Sequence, residues 1–257
     1  MRATFQFLGT GASAGVPVIG CKCTVCTSTS PKNKRLRPCG VIRVHGKTFL
    51  IDIGPDFRTQ ALQFHIDNVD GLLLTHTHYD HIAGLDEIRI FNVRQKKPLP
   101  CLLSKESYEE LQRRYYYLFN QKLSAKLDIV LLEKDVGKVE FLGHRFGYCT
   151  FSQGGMKVTG FRLGEFAYIS DIKDFDDSIY SSLAGVQVLV VSALQPGSSP
   201  FHLSFQEATL FAKRVGAAAT WITHAGHFLD HEDLNALLPS HIKMAYDGLT
   251  LEFACTN

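Results

Sequence analysis

The sequence predicts an α/β sandwich in which two strand-rich halves pack together with helices outside. Three observations carry this. Short strand-like runs and helix-like runs alternate along all 257 residues, in an order of strands, helix, strands, helix. The chain is long enough to bury a sizeable core. Its 45% hydrophobic and 20% charged residues are ordinary globular proportions, with no repeat and no low-complexity linker. We read residues 1–257 as one domain.

The elements follow in order. Thr4 to Leu8 is strand-like and leads into the turn Gly9-Thr10-Gly11-Ala12-Ser13. The stretch Cys21 to Pro38 is polar and irregular. Strands are predicted near Gly40–Val44 and Thr48–Ile53, around a hairpin turn at His45-Gly46-Lys47. Arg58 to Phe64 is helix-like. Gly71 to Leu74 is the apolar run of a buried strand. Helical spacing returns over Gly84 to Arg94, and again over Ser104 to Phe119, where Ser104 is a candidate N-cap. The second half offers strands at Ile129–Leu132, Val139–Leu142, Arg145–Thr150, Lys157–Leu163, Phe166–Ile169, Val186–Val191 and Ala218–Thr223, with a helix over Ser204–Val215. Ile242–Tyr246 and Leu249–Phe253 flank Asp247-Gly248, a strong turn signal, and read as a closing hairpin.

Bulk properties narrow the function classes. A net charge of +2 is too small for a strong nucleic-acid or membrane field. No apolar run is long enough to span a bilayer, and the first residues lack a secretory pattern, so the expected location is the cytoplasm. The seven cysteines are odd in number, and three crowd into Cys21-Lys22-Cys23-Thr24-Val25-Cys26. This favours reduced thiols and a metal site over a disulfide framework.

Two clusters carry chemistry. In Thr75-His76-Thr77-His78-Tyr79-Asp80-His81, three histidines and an aspartate follow a buried strand. Imidazole nitrogens and carboxylate oxygens are the donors that zinc-type sites require. His76 and His78 project the same way if the stretch is extended, and Asp80 and His81 follow within reach of a second ion. Asp171 and His224 also stand where short apolar strands end. Three thiolates at C-x-C-x-x-C spacing could face one ion with a fourth ligand from elsewhere, His227 being a candidate; a closed set of that kind is structural.

Together these motifs resemble the metallo-β-lactamase superfamily, whose hallmark is T-H-x-H-x-D-H, and within it the phosphoribosyl cyclic phosphodiesterases of the carbon–phosphorus lyase pathway. The subgroup adds a G-x-G at Gly9–Gly11, the C-x-C-x-x-C, and a T-H-x-x-H at Thr223-His224-Ala225-Gly226-His227. The resemblance implies an αββα sandwich, two catalytic divalent metals (zinc or manganese) and one structural zinc. It assigns His76 and His78 to metal one, Asp80, His81 and His224 to metal two, and Asp171 as the bridge. Cys21, Cys23, Cys26 and His227 would hold the structural zinc. His202 matches a subgroup histidine that handles the phosphate or leaving group; packing at a helix start is its other reading.

The family's third histidine on metal one has no counterpart between Phe151 and Phe161. Gln153, the more distant His144, or water are the alternatives. The implied reaction is hydrolysis of a small, possibly cyclic, phosphodiester, with Asp80 and Asp171 orienting the attacking water and His202 serving the leaving group. The alternatives are tRNA 3′ endonuclease-like or ester and thioester hydrolysis, and a non-catalytic member whose metal-one site has degenerated. The basic and aromatic run Arg113 to Tyr117 could touch RNA or could be an amphipathic helix. The amides of Thr10, Gly11 and Ala12 could line the pocket or simply form a tight turn. The resemblance is compatible with a homodimer.

Overall fold

The computed structural model describes residues 2–119 and 125–255. Within them two seven-stranded sheets pack face to face. The first contains β1 (Arg2–Gly9), β2 (Cys39–Val44), β3 (Lys47–Ile51), β4 (Gly71–Leu73), β5 (Leu99–Ser104), β6 (Leu127–Leu132) and, from the far end of the chain, β14 (Thr250–Ala254). The second contains β7 (Val136–Phe141), β8 (His144–Gln153), β9 (Met156–Leu163), β10 (Phe166–Ile169), β11 (Val188–Ser192), β12 (Ala219–Thr223) and β13 (Ile242–Met244). The orders are β14-β1-β2-β3-β4-β5-β6 and β13-β12-β11-β10-β9-β8-β7. Each sheet is half antiparallel and half parallel: β3 through β6 run together, as do β10 through β13.

Strand alternation builds the layers. Along β1, Phe5 and Phe7 face the second sheet and Leu8 faces outward. Along β10, Phe166 and Tyr168 face the first sheet, while Ala167 and Ile169 face outward. The inter-sheet core is therefore aromatic. Phe5 packs on Phe7, Phe166 and Tyr168 at centroid distances of 4.8, 4.7 and 5.6 Å. Cutting one such ring to alanine costs about 3–5 kcal/mol. Helices cover the outer faces. Phe57–Gln63 and Lys105–Arg114 lie on the first sheet through Phe57 and Leu111. Phe205–Val215 lies on the second through Ala208, Phe211 and Ala212. This is the αββα sandwich expected. Among the described residues, no helix is long and apolar enough to cross a membrane.

The cap predicted at Ser104 forms. Ser104 accepts from the Ser107 amide, and Ser204 and Glu207 make a complete capping box. The helix after Ser104 stops at Arg114, and Tyr116–Phe119 is a separate 3₁₀ turn. Gly84 to Arg94 likewise divides into a 3₁₀ turn, Leu85–Ile88, and a helix, Arg89–Gln95.

The closing hairpin does not form. β13 pairs with β12 in one sheet, and β14 pairs with β1 in the other. Asp247-Gly248 is the crossing between sheets, and tertiary bonds hold it in place of a hairpin ladder. Asp247 Oδ1 accepts from Thr10 Oγ1 at 2.7 Å and Oδ2 accepts from the Leu36 amide at 2.7 Å. Buried Arg35 donates to Thr10 Oγ1, to the Ala245 carbonyl and toward His231 Nδ1. The loop at 35–37 thus clasps both ends of the chain.

Burial pushes the Asp247 carboxyl up to about 6 from the ordinary 3.8, against the pull of these bonds and of Arg35. The folded chain therefore holds this proton more tightly than the unfolded chain does. Its contribution to stability falls as pH rises from about 4 to about 6 and is level above that. Asp247→Asn removes this slope. Denaturant unfolding at stepped pH should show the wild type losing stability relative to the variant across that window, and a constant difference would refute the assignment.

Candidate metal centre

The residues of the site come from both sheets and meet at one end of the sandwich, where strands run out. Asp52 follows β3, His76 to His81 follow β4, Gln153 ends β8, Asp171 follows β10 and His224 follows β12. Three of them, Asp52, Asp171 and His224, hold left-handed backbones, with φ of 61, 54 and 60°. Such conformations are uncommon in side-chain-bearing residues and cluster at functional sites. Here each turns the chain sharply out of a buried strand.

His76 Nε2 and His78 Nδ1 lie 3.0 Å apart. His81 Nε2 is 3.1 Å from Asp171 Oδ2 and 3.5 Å from Asp80 Oδ2. His224 Nε2 is 3.2 Å from Asp171 Oδ1 and 3.3 Å from Asp80 Oδ2. The two carboxylates thus share the same two histidines. His202 stacks on His224 at 4.9 Å between centroids, and its Nδ1 is 3.4 Å from Asp171 Oδ1. His76, His81 and Asp171 form one group that could hold an ion; Asp80, His81 and His224 form another; Asp171, His202 and His224 form a third.

Asp52 was not among the residues read from sequence. Buried, it accepts from the Thr75 amide at 2.8 Å, from Thr75 Oγ1 at 2.8 Å and from His81 Nδ1 at 2.7 Å. Thr75 Oγ1 lies 2.9 Å from His76 Nδ1. Both histidines therefore have their Nδ1 engaged and their Nε2 turned inward, the arrangement that fixes a ligand's tautomer. The signal available in the sequence was an acid next to the end of the run Thr48–Ile53. Asp80 is held from behind: a Cβ on Gly54 would stand 2.1 Å from the Asp80 carbonyl oxygen, and one on Gly84 would stand 2.2 Å from that of Gly54.

The electrostatics ask for a cation. Although burial opposes it, His224 and His81 hold Asp171 well below the carboxylate range, and His81 and His224 do the same for Asp80. Burial pulls His81 down, but Asp171, Asp80 and Asp52 outweigh it and raise it. Burial and the neighbouring His81 push His76 well down. His202 is lowered to about 4, by burial first and His224 second. Buried carboxylates need a paired charge or a metal. His81 Nε2 and His224 Nε2 both face the Asp80 and Asp171 carboxylates at 3.1 to 3.5 Å. Buried imidazole nitrogens and carboxylate oxygens converging in this way fit a divalent ion.

Gln153 is in this site and His144 is not. Gln153 Nε2 donates to Asp171 Oδ1 at 3.1 Å and sits 3.1 Å from His202 Nδ1, while its Oε1 is buried without a partner. His144 starts the same strand about 30 Å away by strand rise. It packs instead against His45 and Phe49, with centroids 5.2 and 5.5 Å off. The amides of Gly11 and Ala12 do not line the cleft: they donate to the carbonyls of Leu36 and Ala225. Gly9 and Gly11 are glycine because the 35–37 backbone presses on them.

Arg113 and Arg114 both pair with Glu110, and Arg114 Nη1 donates to the Thr77 carbonyl at 2.9 Å. That basic run supports the histidine loop from its own helix. Apart from this centre, Cys21, Cys23 and Cys26 place their sulfurs 3.4, 3.4 and 3.3 Å from His227 Nδ1. The four are a tetrahedral-type donor set. The Cys26 amide and then His227 bring the Cys23 thiol down to about 6, the direction a thiolate ligand needs.

A family model described as "Beta-lactamase superfamily domain" matches residues 47–225. This chain is a metallo-β-lactamase superfamily hydrolase. The superfamily chain is also similar to a crystal structure described as a new diphosphatase from the PhnP family. The identity is 35%, the TM-score is 0.93, and 100% of this chain and 99% of that one are covered. It is 31% identical over 255 residues to an octanoyltransferase of Porphyromonas gingivalis, covering 94% of this chain but spanning only 50% of that protein. Zinc-bound PqqB from Methylobacterium extorquens, 17% identical with a TM-score of 0.79 and coverages of 96% and 99%, shares the fold.

If Asp52 sets the tautomer of His81, Asp52→Asn should weaken binding of divalent metal about 10- to 100-fold. Competition against a chromophoric chelator measures this. Unchanged affinity in a folded variant would remove Asp52 from the site.

Proposed function

We propose that the protein is a phosphodiesterase acting on a small, in particular cyclic, phosphodiester with two catalytic divalent metals. One observation supports this above the rest: Asp80 and Asp171 share the imidazoles of His81 and His224 at 3.1 to 3.5 Å, with His76 and His78 alongside. In this reading His76 and His78 hold one ion, Asp80, His81 and His224 hold the other, and Asp171 lies between. Cys21, Cys23, Cys26 and His227 hold a separate structural zinc. Bound metals would lower the pKa of a water and neutralise charge on the phosphoryl oxygens.

The side chains do the rest. Asp171 Oδ2 takes the hydroxyl of Ser170 at 2.7 Å while Oδ1 takes the Gln153 amide, so the carboxylate is locked in one orientation. Asp80 then orients the attacking water from the opposite wall. His202, half-buried at the cleft, directs an imidazole N–H to the leaving oxygen. Gln153 stands where the resemblance expected a third histidine. Its unpartnered Oε1 is a harder donor than imidazole, which favours manganese over zinc beside His76 and His78. The similar PhnP-family structure is described as a diphosphatase, which is also phosphoryl chemistry. The Arg113 to Tyr117 run adds little weight to an RNA substrate, because both arginines pair with Glu110 and Arg114 also donates to the Thr77 carbonyl.

Cyclic and linear phosphodiesters assayed with zinc and with manganese test the proposal. We expect metal-dependent turnover, faster with manganese, and a loss of at least about a hundredfold in Asp80→Ala. Turnover that survives chelation, or an active Asp80→Ala, would sink it. Elemental analysis of the loaded protein should count three ions per chain, and Cys23→Ser should lose one zinc while keeping the other two. A single zinc in the wild type would instead indicate a degenerate centre.

A further inference from the structure

Two large aromatic side chains stand in water beside histidines of the centre. Tyr79, next to His78, is 66% exposed, and Phe201, next to His202, is 54% exposed. They belong to loops of opposite sheets: Tyr79 follows β4 and Phe201 lies between β11 and β12. Both open onto one cleft of about 490 Å³, with His78, Asp80, Asp171 and His202 at its floor. That volume suits a small ligand.

Phe201 has a fixed seat. It rests on the backbone of the turn between β8 and β9, where Gly154 has φ of 55° and a Cβ would come within 3.0 Å of the ring. A side chain there would push the ring off its support. The described lining of the cleft contains no lysine or arginine. Beyond the polar floor, the described mouth therefore offers a ligand ring faces and the thioether of Met156, and not a second cation.

We infer that Tyr79 and Phe201 form a stacking subsite for a planar ring, which makes the substrate a phosphodiester whose organic group carries an aromatic ring or a nucleobase. Isolated exposed apolar residues are common and need no special cause. A pair facing one cleft from two sheets, one of them seated on a glycine, is a built feature. This inference rests on the phosphodiesterase reading, and its test separates the two.

The manganese-loaded enzyme is assayed on two matched pairs whose members share a leaving group and differ in the ring. One pair is adenosine 2′,3′-cyclic phosphate against 1-O-methylribose 2,3-cyclic phosphate. The other is methyl benzyl phosphate against methyl cyclohexylmethyl phosphate, followed by release of methanol, the leaving group the two share. We expect kcat/KM to favour the ring-bearing member by about tenfold to a hundredfold. The ratio should collapse toward one in Tyr79→Ala and Phe201→Ala and persist in Phe201→Trp. A preference in both pairs marks a general ring subsite, and a preference in the first alone marks a nucleobase subsite. Calorimetric titration with adenosine 5′-monophosphate and with ribose 5-phosphate gives the same comparison without turnover. Should no diester react, the phosphodiesterase reading fails and the titration still decides the subsite. Equal binding and turnover of ringed and ring-free ligands, or a preference untouched by both alanine variants, would overturn the inference.

Discussion

A single buried carboxylate takes three donors where the first sheet meets the centre. Asp52 leaves β3 and Thr75 leaves β4, strands that lie side by side in parallel register. One oxygen of Asp52 accepts the Thr75 amide; the other accepts both the Thr75 hydroxyl and His81 Nδ1. The same side chain thus anchors the start of the histidine loop and a residue near its end. Hydrogen bonds to a charged group contribute about 1.5–3 kcal/mol each, and leaving such a group unpaired in the interior costs more. Everything between Thr75 and His81 inherits its position from that arrangement.

The centre exists only when both halves of the sandwich are docked. His76, His78, Asp80 and His81 come from a loop of the first sheet; Gln153, Asp171 and His224 come from strand ends of the second. A cation held by both sets would bind the docked state and not the separated halves, so ligation and inter-sheet packing reinforce each other. The cysteine cluster repeats the logic at longer range, because His227 lies only three residues beyond His224 and reaches back to the N-terminal loop.

How much of this was legible follows from sequence distance. His76 to His81 declare themselves because so many donors within six residues, placed after a buried strand, seldom gather without a metal to bind. Asp171 and His224 gained meaning from standing where apolar runs stop. Asp52 stayed hidden because its partners are 23 and 29 residues away. β5 was missed because Leu99–Ser104 carries Pro100 and merges into the helix that Ser104 caps. The Asp247-Gly248 turn misled for a physical reason: a strong local preference was overruled when its two flanking strands found better partners in different sheets. Gln153 and His144 stand at opposite ends of one strand, a separation that no spacing rule could reveal.

The backbone contacts behind Asp80 have a consequence for how such an enzyme can change. Gly54 and Gly84 tolerate no methyl group, since the chain segments they join touch backbone to backbone. These two positions beneath the candidate centre are therefore nearly closed to mutation. The rim is the reverse: Tyr79 and Phe201 stand largely in solvent, where substitutions cost little stability. A lineage built this way drifts in what it acts upon while its chemistry stays where it is, and a designer seeking new specificity would leave the glycines alone and randomise the mouth.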